Sequence, residues 1–302
     1  MTTQSLPSPA PTPNYAIQAA RRARRQALTG YTLVAPSLLV VALLIIYPAA
    51  GSVIRSVIVY NNGVATFSLQ RYADFFNNPI SMQNLGFTLS ITLLTLAFLF
   101  LVCFPLALYL RFSNSRIASA VQLLALFPLF VPAIILAYAL IRFFITRGVF
   151  QTLINGVGIA SYSMPIQKPA GIIIGLVWDN LPFTILILTA GLRQIDDALL
   201  ESARDVGASN TQIFFRIILP LMQRPALIVF SLNFMGLFGS YTLPYLLGPA
   251  APQMMGVYMQ RTLGDFLDTS AAETQAVISF IICAAAGFVY VWSVSRQRKG
   301  ER

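Results

Sequence analysis

Apolar residues run along this chain in blocks of about twenty. Six blocks, at about 31–56, 85–110, 119–145, 170–191, 225–248 and 275–294, are each long enough to cross a bilayer core as a helix rising about 1.5 Å per residue. Several hold prolines: Pro36 and Pro48, Pro105, Pro128 and Pro132, Pro182, and Pro244. Inside a bundle the neighbours can re-satisfy a carbonyl freed by proline. These positions are therefore expected to be kinks, with a place along a substrate path as the sharper reading. The predicted fold class is all-α, a polytopic membrane bundle of six transmembrane helices.

The segments between blocks differ in character. Residues 1–20 are rich in Ser, Pro and Thr and are expected not to fold. Arg21-Arg22-Ala23-Arg24-Arg25 follows, and then an apolar run of about 25 residues that no Ala-x-Ala site closes. That reads as a first span, not a leader peptide. The loop 57–84 contains the aromatic stretch 67–76, and the loop 146–169 contains Gly148–Asn155; both are expected to form short interfacial helices. The third loop on that side is 249–274.

Composition agrees with the blocks. The chain is 57% hydrophobic and 10% charged, where soluble domains run near 45–50% and about 25%. Its net charge is +10, from 20 Lys+Arg against 10 Asp+Glu. If the N-terminus is inside, the cytoplasmic segments hold Arg21, Arg22, Arg24, Arg25, Arg111, Arg116, Arg193, Arg204, Arg216, Arg224, Arg296, Arg298, Lys299 and Arg302, or 14 of the 20. That bias predicts both termini in the cytoplasm and an even number of spans. The basicity thus reads as an orientation signal, and no soluble basic surface points to nucleic acid. There is no histidine, and Cys103 and Cys283 both lie in apolar blocks. No metal site and no catalytic constellation is expected. Neither Lys168 nor Lys299 ends a G-x-x-x-x-G-K-[ST] pattern, so ATP, if used, is bound by another subunit.

The longest cytoplasmic segment, 192–224, carries a pattern of its own. Ile195, Leu199, Ala203 and Val206 recur at helical spacing, and Asp196 or Asp197 can cap the start. Gly207 stands where a left-handed residue ends a helix. Ser209 and Gln212 read as a capping box, and a second helix follows with Ile213, Ile217 and Leu221 on one face and Pro220 bending it into the next span. The predicted product is a helix–Gly–helix hairpin. Its first helix holds Asp196, Asp197, Glu201 and Asp205, which anionic lipid would repel, so a protein partner suits it better than a headgroup surface.

Glu201-Ser202-Ala203, Gly207 and Ile217-x-Leu219-Pro220 resemble the EAA loop, E-A-A-x(3)-G-x(9)-I-x-L-P, of binding-protein-dependent ABC importer permeases. The spacing matches throughout; Ser202 replaces the usual Ala and is still small. The resemblance extends to the six-span layout and implies a type I importer permease, a transport subunit and not an enzyme. Its domains would be a disordered, basic N-terminus 1–30, a first span 31–56, an extracytoplasmic loop 57–84, a five-span permease core 85–294 with the coupling loop, and a cytoplasmic tail 295–302. It implies that the hairpin, with Asp205 and Ala208 beside the motif positions, docks on an ATPase subunit. Gly207 would supply the turn, Glu201 a polar anchor and Ala203 close approach. The implied partners are two ATP-binding subunits carrying the ATP and magnesium, a second and different permease chain, an extracytoplasmic solute-binding protein, and membrane lipid. The implied location is the cytoplasmic (inner) membrane.

Two further stretches bear on the solute. Gly236–Gly248, with Phe238, Pro244 and Leu246-Leu247, and Trp178-Asp179-Asn180-Leu181-Pro182-Phe183 resemble regions of the spermidine/putrescine-type permeases. The resemblance implies a polyamine, with a sugar, thiamine, iron or a phosphonate as alternatives. A stand-alone secondary transporter is disfavoured, because Asp179 is nearly the only ionisable side chain within the spans. A charge there costs about 2.5–3.5 kcal/mol on insertion scales. Asp179 is expected to pair with an arginine near the outer boundary such as Arg55 or Arg142, to accept hydrogen bonds at the Pro182 kink, to line the path of a cationic solute beside Trp178 and Tyr241, or simply to lie exposed near the headgroups.

Overall fold

The computed structural model describes residues 13–61, 64–113, 115–158 and 163–300. The chain divides into two units, ending and beginning at Arg55 and Ser56. In the first, α1 (Pro13–Val41) continues through one π-helical turn at Ala42–Ile46 into α2 (Tyr47–Val57). Arg24–Val57 is long and apolar enough to cross a membrane. The expectation that residues 1–20 stay unfolded meets helix from Pro13 onward; residues 1–12 lie outside the described residues.

The second unit begins with an antiparallel pair, β1 (Ile58–Asn61) and β2 (Val64–Phe67), in which Ile58 faces Phe67 and Asn61 faces Val64. Helix α3 (Gln70–Asn77) follows, overlapping the aromatic stretch expected to be helical. Asn78 then starts α4 (Pro79–Phe112): its Oδ1 accepts from the amides of Ile80 at 2.9 Å and Ser81 at 3.4 Å. Pro79 occupies the first position, where a missing N–H costs no hydrogen bond.

The expected single span 119–145 is broken. Helix α5 (Arg116–Leu126) passes into a 3-10 turn at Phe127–Phe130, and α6 (Ala133–Phe144) starts afresh. Pro132 is the physical cause: it has no N–H, and it holds Val131 extended, at φ −104° and ψ 113°. Helix α7 (Val149–Gly156) occupies the second predicted interfacial site. Next come α8 (Pro169–Arg193), α9 (Asp197–Asp205) and α10 (Asn210–Ile213). A π-helical turn at Phe214–Ile218 leads into α11 (Leu219–Leu221), and α12 (Gln223–Phe238) leaves at 55° to the preceding helix. The expected span 225–248 does not run through: it stops at Phe238, and α13 (Thr242–Leu247) resumes after Gly239–Tyr241. Helix α14 (Met255–Gly264) lies where sequence showed only a loop, and α15 (Thr269–Gly300) closes the bundle. Five described helical segments are long and apolar enough to span, and the bent pair at 210–238 makes a sixth.

Helices α4 and α8 lie side by side and point the same way. The Cys103 thiol reaches the Leu181 carbonyl at 3.9 Å, and Arg111 near the end of α4 reaches Leu192 near the end of α8. Helix α12 runs back along α8, with Asn233 Nδ2 donating to Thr184 Oγ1 at 3.2 Å. Leu99, Cys103, Ala107, Leu188, Leu192, Val229 and Leu237 form the fully buried centre. Thr88, Thr92, Thr95, Thr184 and Ser231 are also fully buried; such small side chains let helices approach closely in lipid, where packing replaces the hydrophobic drive.

The end of the bundle remote from residues 192–224 is fastened by α4 as well. Asn84 Oδ1 accepts from the Gln253 amide at 2.8 Å, and Thr88 Oγ1 accepts from the Met255 amide at 2.8 Å. The Ser81 and Tyr258 hydroxyls share a hydrogen bond of 3.0 Å.

Candidate functional site

The hairpin at 192–224 is built by local chemistry. Asp196, not Asp197, caps α9, accepting from the Ala198 amide at 3.0 Å. The helix stops in a Schellman arrangement: the Gly207 amide bonds to the Arg204 carbonyl at 2.9 Å and the Ala208 amide to the Ala203 carbonyl at 3.0 Å. Gly207 sits at φ +84°, in the left-handed region where a Cβ is disfavoured. Two residues on, Ser209 Oγ accepts from the Gln212 amide at 3.3 Å and Gln212 Oε1 from the Ser209 amide at 2.8 Å, which is a complete capping box.

The buried faces differ from those the spacing predicts. On the first helix Leu200 is buried and Ala203 half-buried, whereas Leu199 is exposed and Val206 is 85% exposed. Ile195 is buried, but it precedes the helix in a turn closed by its amide on the Leu192 carbonyl, so it does not set the helix's phase. On the second helix the buried residues are Ile213, Ile218 and Met222, in place of Ile213, Ile217 and Leu221. The π-helical turn at 214–218 causes this shift: an i→i+5 step carries the inward face from Ile213 to Ile218. Ile217 remains half-buried, and Leu219 and Pro220 are exposed. Glu201, Ser202 and Asp205 are exposed at the tip, with the Ser202 hydroxyl bonded back to the Ala198 carbonyl at 2.8 Å. Ala208 is half-buried against the core.

Sequence reasoning missed the residue that anchors this hairpin. Arg111, whose side chain is 16% exposed, makes three interactions at its root. Its Nε donates to the Leu192 carbonyl at 3.3 Å, and one terminal nitrogen donates to the Ile195 carbonyl at 3.3 Å and pairs with the Asp197 carboxylate. It thereby ties the end of α8 and the start of α9 to α4.

The described cavities do not bring the three path candidates together. Trp178 is half-buried and packs against the core cluster. Tyr241, 37% exposed, stacks on Tyr245 with ring centroids 5.3 Å apart. Asp179 is half-buried, and among the described residues its carboxylate has no ion pair and no hydrogen bond. Among the described residues of the second unit, neither Arg142 nor the Pro182 kink takes it up. Asn180 acts near the kink instead: its Nδ2 donates to the Leu176 carbonyl at 2.9 Å, and its own carbonyl accepts from Thr184. A cavity of about 550 Å³ at the end remote from the hairpin is lined by Gln167, Tyr245, Gln253 and Arg261, but by none of these three.

A bundle of apolar spans with a rigid helical hairpin projecting from one end is the architecture of an importer permease, and comparison with known proteins places the chain there. Residues 103–299 match the family described as binding-protein-dependent transport system inner membrane component. The spermidine/putrescine transport system permease protein PotB of Haemophilus influenzae is 30% identical over 190 residues, 63% of this chain; the match spans 66% of that relative, just under two thirds of its length. The sulfoquinovosyl glycerol transport system permease protein SmoG of Agrobacterium fabrum is 25% identical over 283 residues, 87% of this chain and 89% of its own. A chain of a bacterial alginate ABC transporter, solved with its alginate pentasaccharide-bound periplasmic protein, superposes with a TM-score of 0.76 at 17% identity, covering 92% of this chain and 96% of that one. At that identity the likeness shows the fold.

The class is therefore an ABC importer inner-membrane permease of type I fold. The chain belongs to the binding-protein-dependent transport system inner membrane component family. It is a multi-pass membrane protein and a transport subunit, not an enzyme.

Proposed function

We propose that this chain is the translocating subunit of an ATP-driven importer whose solute is a polyamine, with residues 192–224 as the ATPase-docking hairpin. Both termini and the hairpin face the cytoplasm. ATP and magnesium are held by two separate ATPase subunits, a second and different permease completes the pathway, and an extracytoplasmic binding protein delivers the solute. The observation that carries the coupling role is the hairpin itself: the Schellman turn, the capping box and the Arg111 anchor fix a rigid projection, and its tip residues Glu201, Asp205 and Val206 are exposed.

The polyamine reading draws on the half-buried carboxylate of Asp179, which has no partner among the described residues, and on the likeness to PotB. A carboxylate without a partner in a partly dry setting attracts a cation more strongly than it would in water. Cells carrying the complete system are expected to take up labelled spermidine. Asp179→Asn is expected to lower that uptake about tenfold, equivalent to losing about 1.4 kcal/mol, while complex assembly and basal ATP hydrolysis hold. Unchanged uptake would remove Asp179 from the path.

A second reading, a saccharide solute, is favoured by one feature. The 550 Å³ cavity offers Gln167, Tyr245 and Arg261, which suit hydroxyl or anionic groups, and no carboxylate is among the described residues lining it. Uptake of a labelled glycoside with no uptake of spermidine would support it.

A further inference from the structure

Helix α4 is fastened at both ends to the two segments that a transport cycle has to move together. At one end Arg111 holds the root of the hairpin by the Leu192 and Ile195 carbonyls and the Asp197 carboxylate. At the other, Asn84 and Thr88 hold the backbone of Gln253 and Met255, and Ser81 meets Tyr258. Gln253 and Met254 line the remote cavity. Both fastenings lie on a single helix of 34 residues, about 50 Å long at 1.5 Å per residue. It is packed along α8 and carries buried residues from Ser81 to Leu110.

We propose that α4 is the rod that carries displacement of the hairpin to the mouth at the remote end of the bundle, and that Arg111 is the positioning residue that clasps the rod to the hairpin. This rests on the docking role proposed for the hairpin. Arg111 suits the task because its fork meets two backbone carbonyls and a carboxylate from a side chain that is largely buried, so the hairpin root cannot swing without α4. Asn84 and Thr88 suit theirs because both accept from backbone amides, so the mouth segment is held by its main chain. Each clasp joins residues more than 80 positions apart.

The test uses the whole importer, reconstituted with its ATPase, second permease and binding protein. Ala250 is exposed beside the cavity. The maleimide labelling rate of an Ala250→Cys reporter is measured without nucleotide and with ATP and vanadate, with the protein lacking the reporter as the control for Cys103 and Cys283. The otherwise unaltered reporter protein is expected to label at different rates in the two states. Arg111→Met, which removes all three interactions at similar length, is expected to abolish that difference. Arg111→Lys keeps the charge opposite Asp197 but not the fork, and is expected to lose part of the difference. A nucleotide response that persists in full in Arg111→Met overturns the proposal, as does the absence of any response in the unaltered reporter. If Arg111→Met does not assemble, Arg111→Lys decides: a diminished response supports the clasp and a full one overturns it. Cross-linking of Val206→Cys to the ATPase tests the docking role separately. A cross-link that forms while Arg111→Met still responds fully refutes the clasp alone, whereas no cross-link refutes the docking role beneath it.

Discussion

Gly207 turns the hairpin at φ +84°, yet a Cβ built there meets no atom within 4 Å. Substitution therefore costs conformation, not space. Alanine in the left-handed region is disfavoured by about 1–2 kcal/mol, whereas Asn and Asp visit it more readily. Gly207→Asn and Gly207→Asp thus share a backbone cost and differ by a charge. Thermal melting of the purified complex should show the two variants within a few degrees of each other. ATP hydrolysis stimulated by the loaded binding protein should survive in Asn and collapse in Asp if the turn is pressed against an ATPase; equal activity would place the turn in solvent. Gly248 is the contrasting case, where a Cβ would stand 2.4 Å from the Pro244 carbonyl oxygen. Gly248→Ala should force a backbone shift costing about 1–3 kcal/mol, as overpacking does, and lower the yield of folded protein.

The residues that sequence exposed most clearly are those whose partners are close in the chain. The Gly207 turn and the Ser209–Gln212 box are read within four positions of themselves. Arg111 was legible only as one positive charge among many, because its partners stand 81 to 86 residues away and only the packing of α4 on α8 brings them near. Asp179 stood out by composition, but its surroundings depend on how neighbouring helices pack, which spacing does not encode.

Among the elements, those the sequence misplaced share a departure from one regular period. A six-block hydropathy pattern does not show that Pro132 stops one helix or that Gly239–Tyr241 interrupts another, because the residues on both sides are equally apolar. The hairpin of β1 and β2 did have a signal in Asn62-Gly63, the dipeptide most typical of a two-residue turn between strands. The π-helical turn at 214–218 left no mark that a 3.6-residue period detects, and it moved the buried face by one residue. That turn gives a sharp prediction. Removing the exposed Phe215 should convert it to regular helix while keeping Ile213 and the residues now numbered 218 and 222 on one face. Size-exclusion chromatography should find this variant folded. Removing the buried Phe234 from the regular helix α12 should rotate every later contact and yield aggregate. The reverse outcome would show that the turn is not what sets the buried face.

For the whole molecule, the 14-to-6 division of basic residues is the basis on which the hairpin is proposed to face the cytoplasm. Single cysteines at the exposed positions Gln70 and Ala250 should react with a membrane-impermeant maleimide added to intact cells, and one at Ser209 only after permeabilisation. External labelling at Ser209 would invert the orientation and remove the ATPase from reach.

The docking proposed between the hairpin and an ATPase can be read at Val206. Its side chain is 85% exposed beside the Gly207 turn and makes little contribution to the fold. With Val206→Cys carried in the assembled importer, a short bifunctional cross-linker is expected to join this chain to the ATPase subunit, and binding of ATP is expected to change the yield. A cysteine at Val206 that reacts freely with solvent maleimide in the assembled complex and never joins the ATPase would refute the docking.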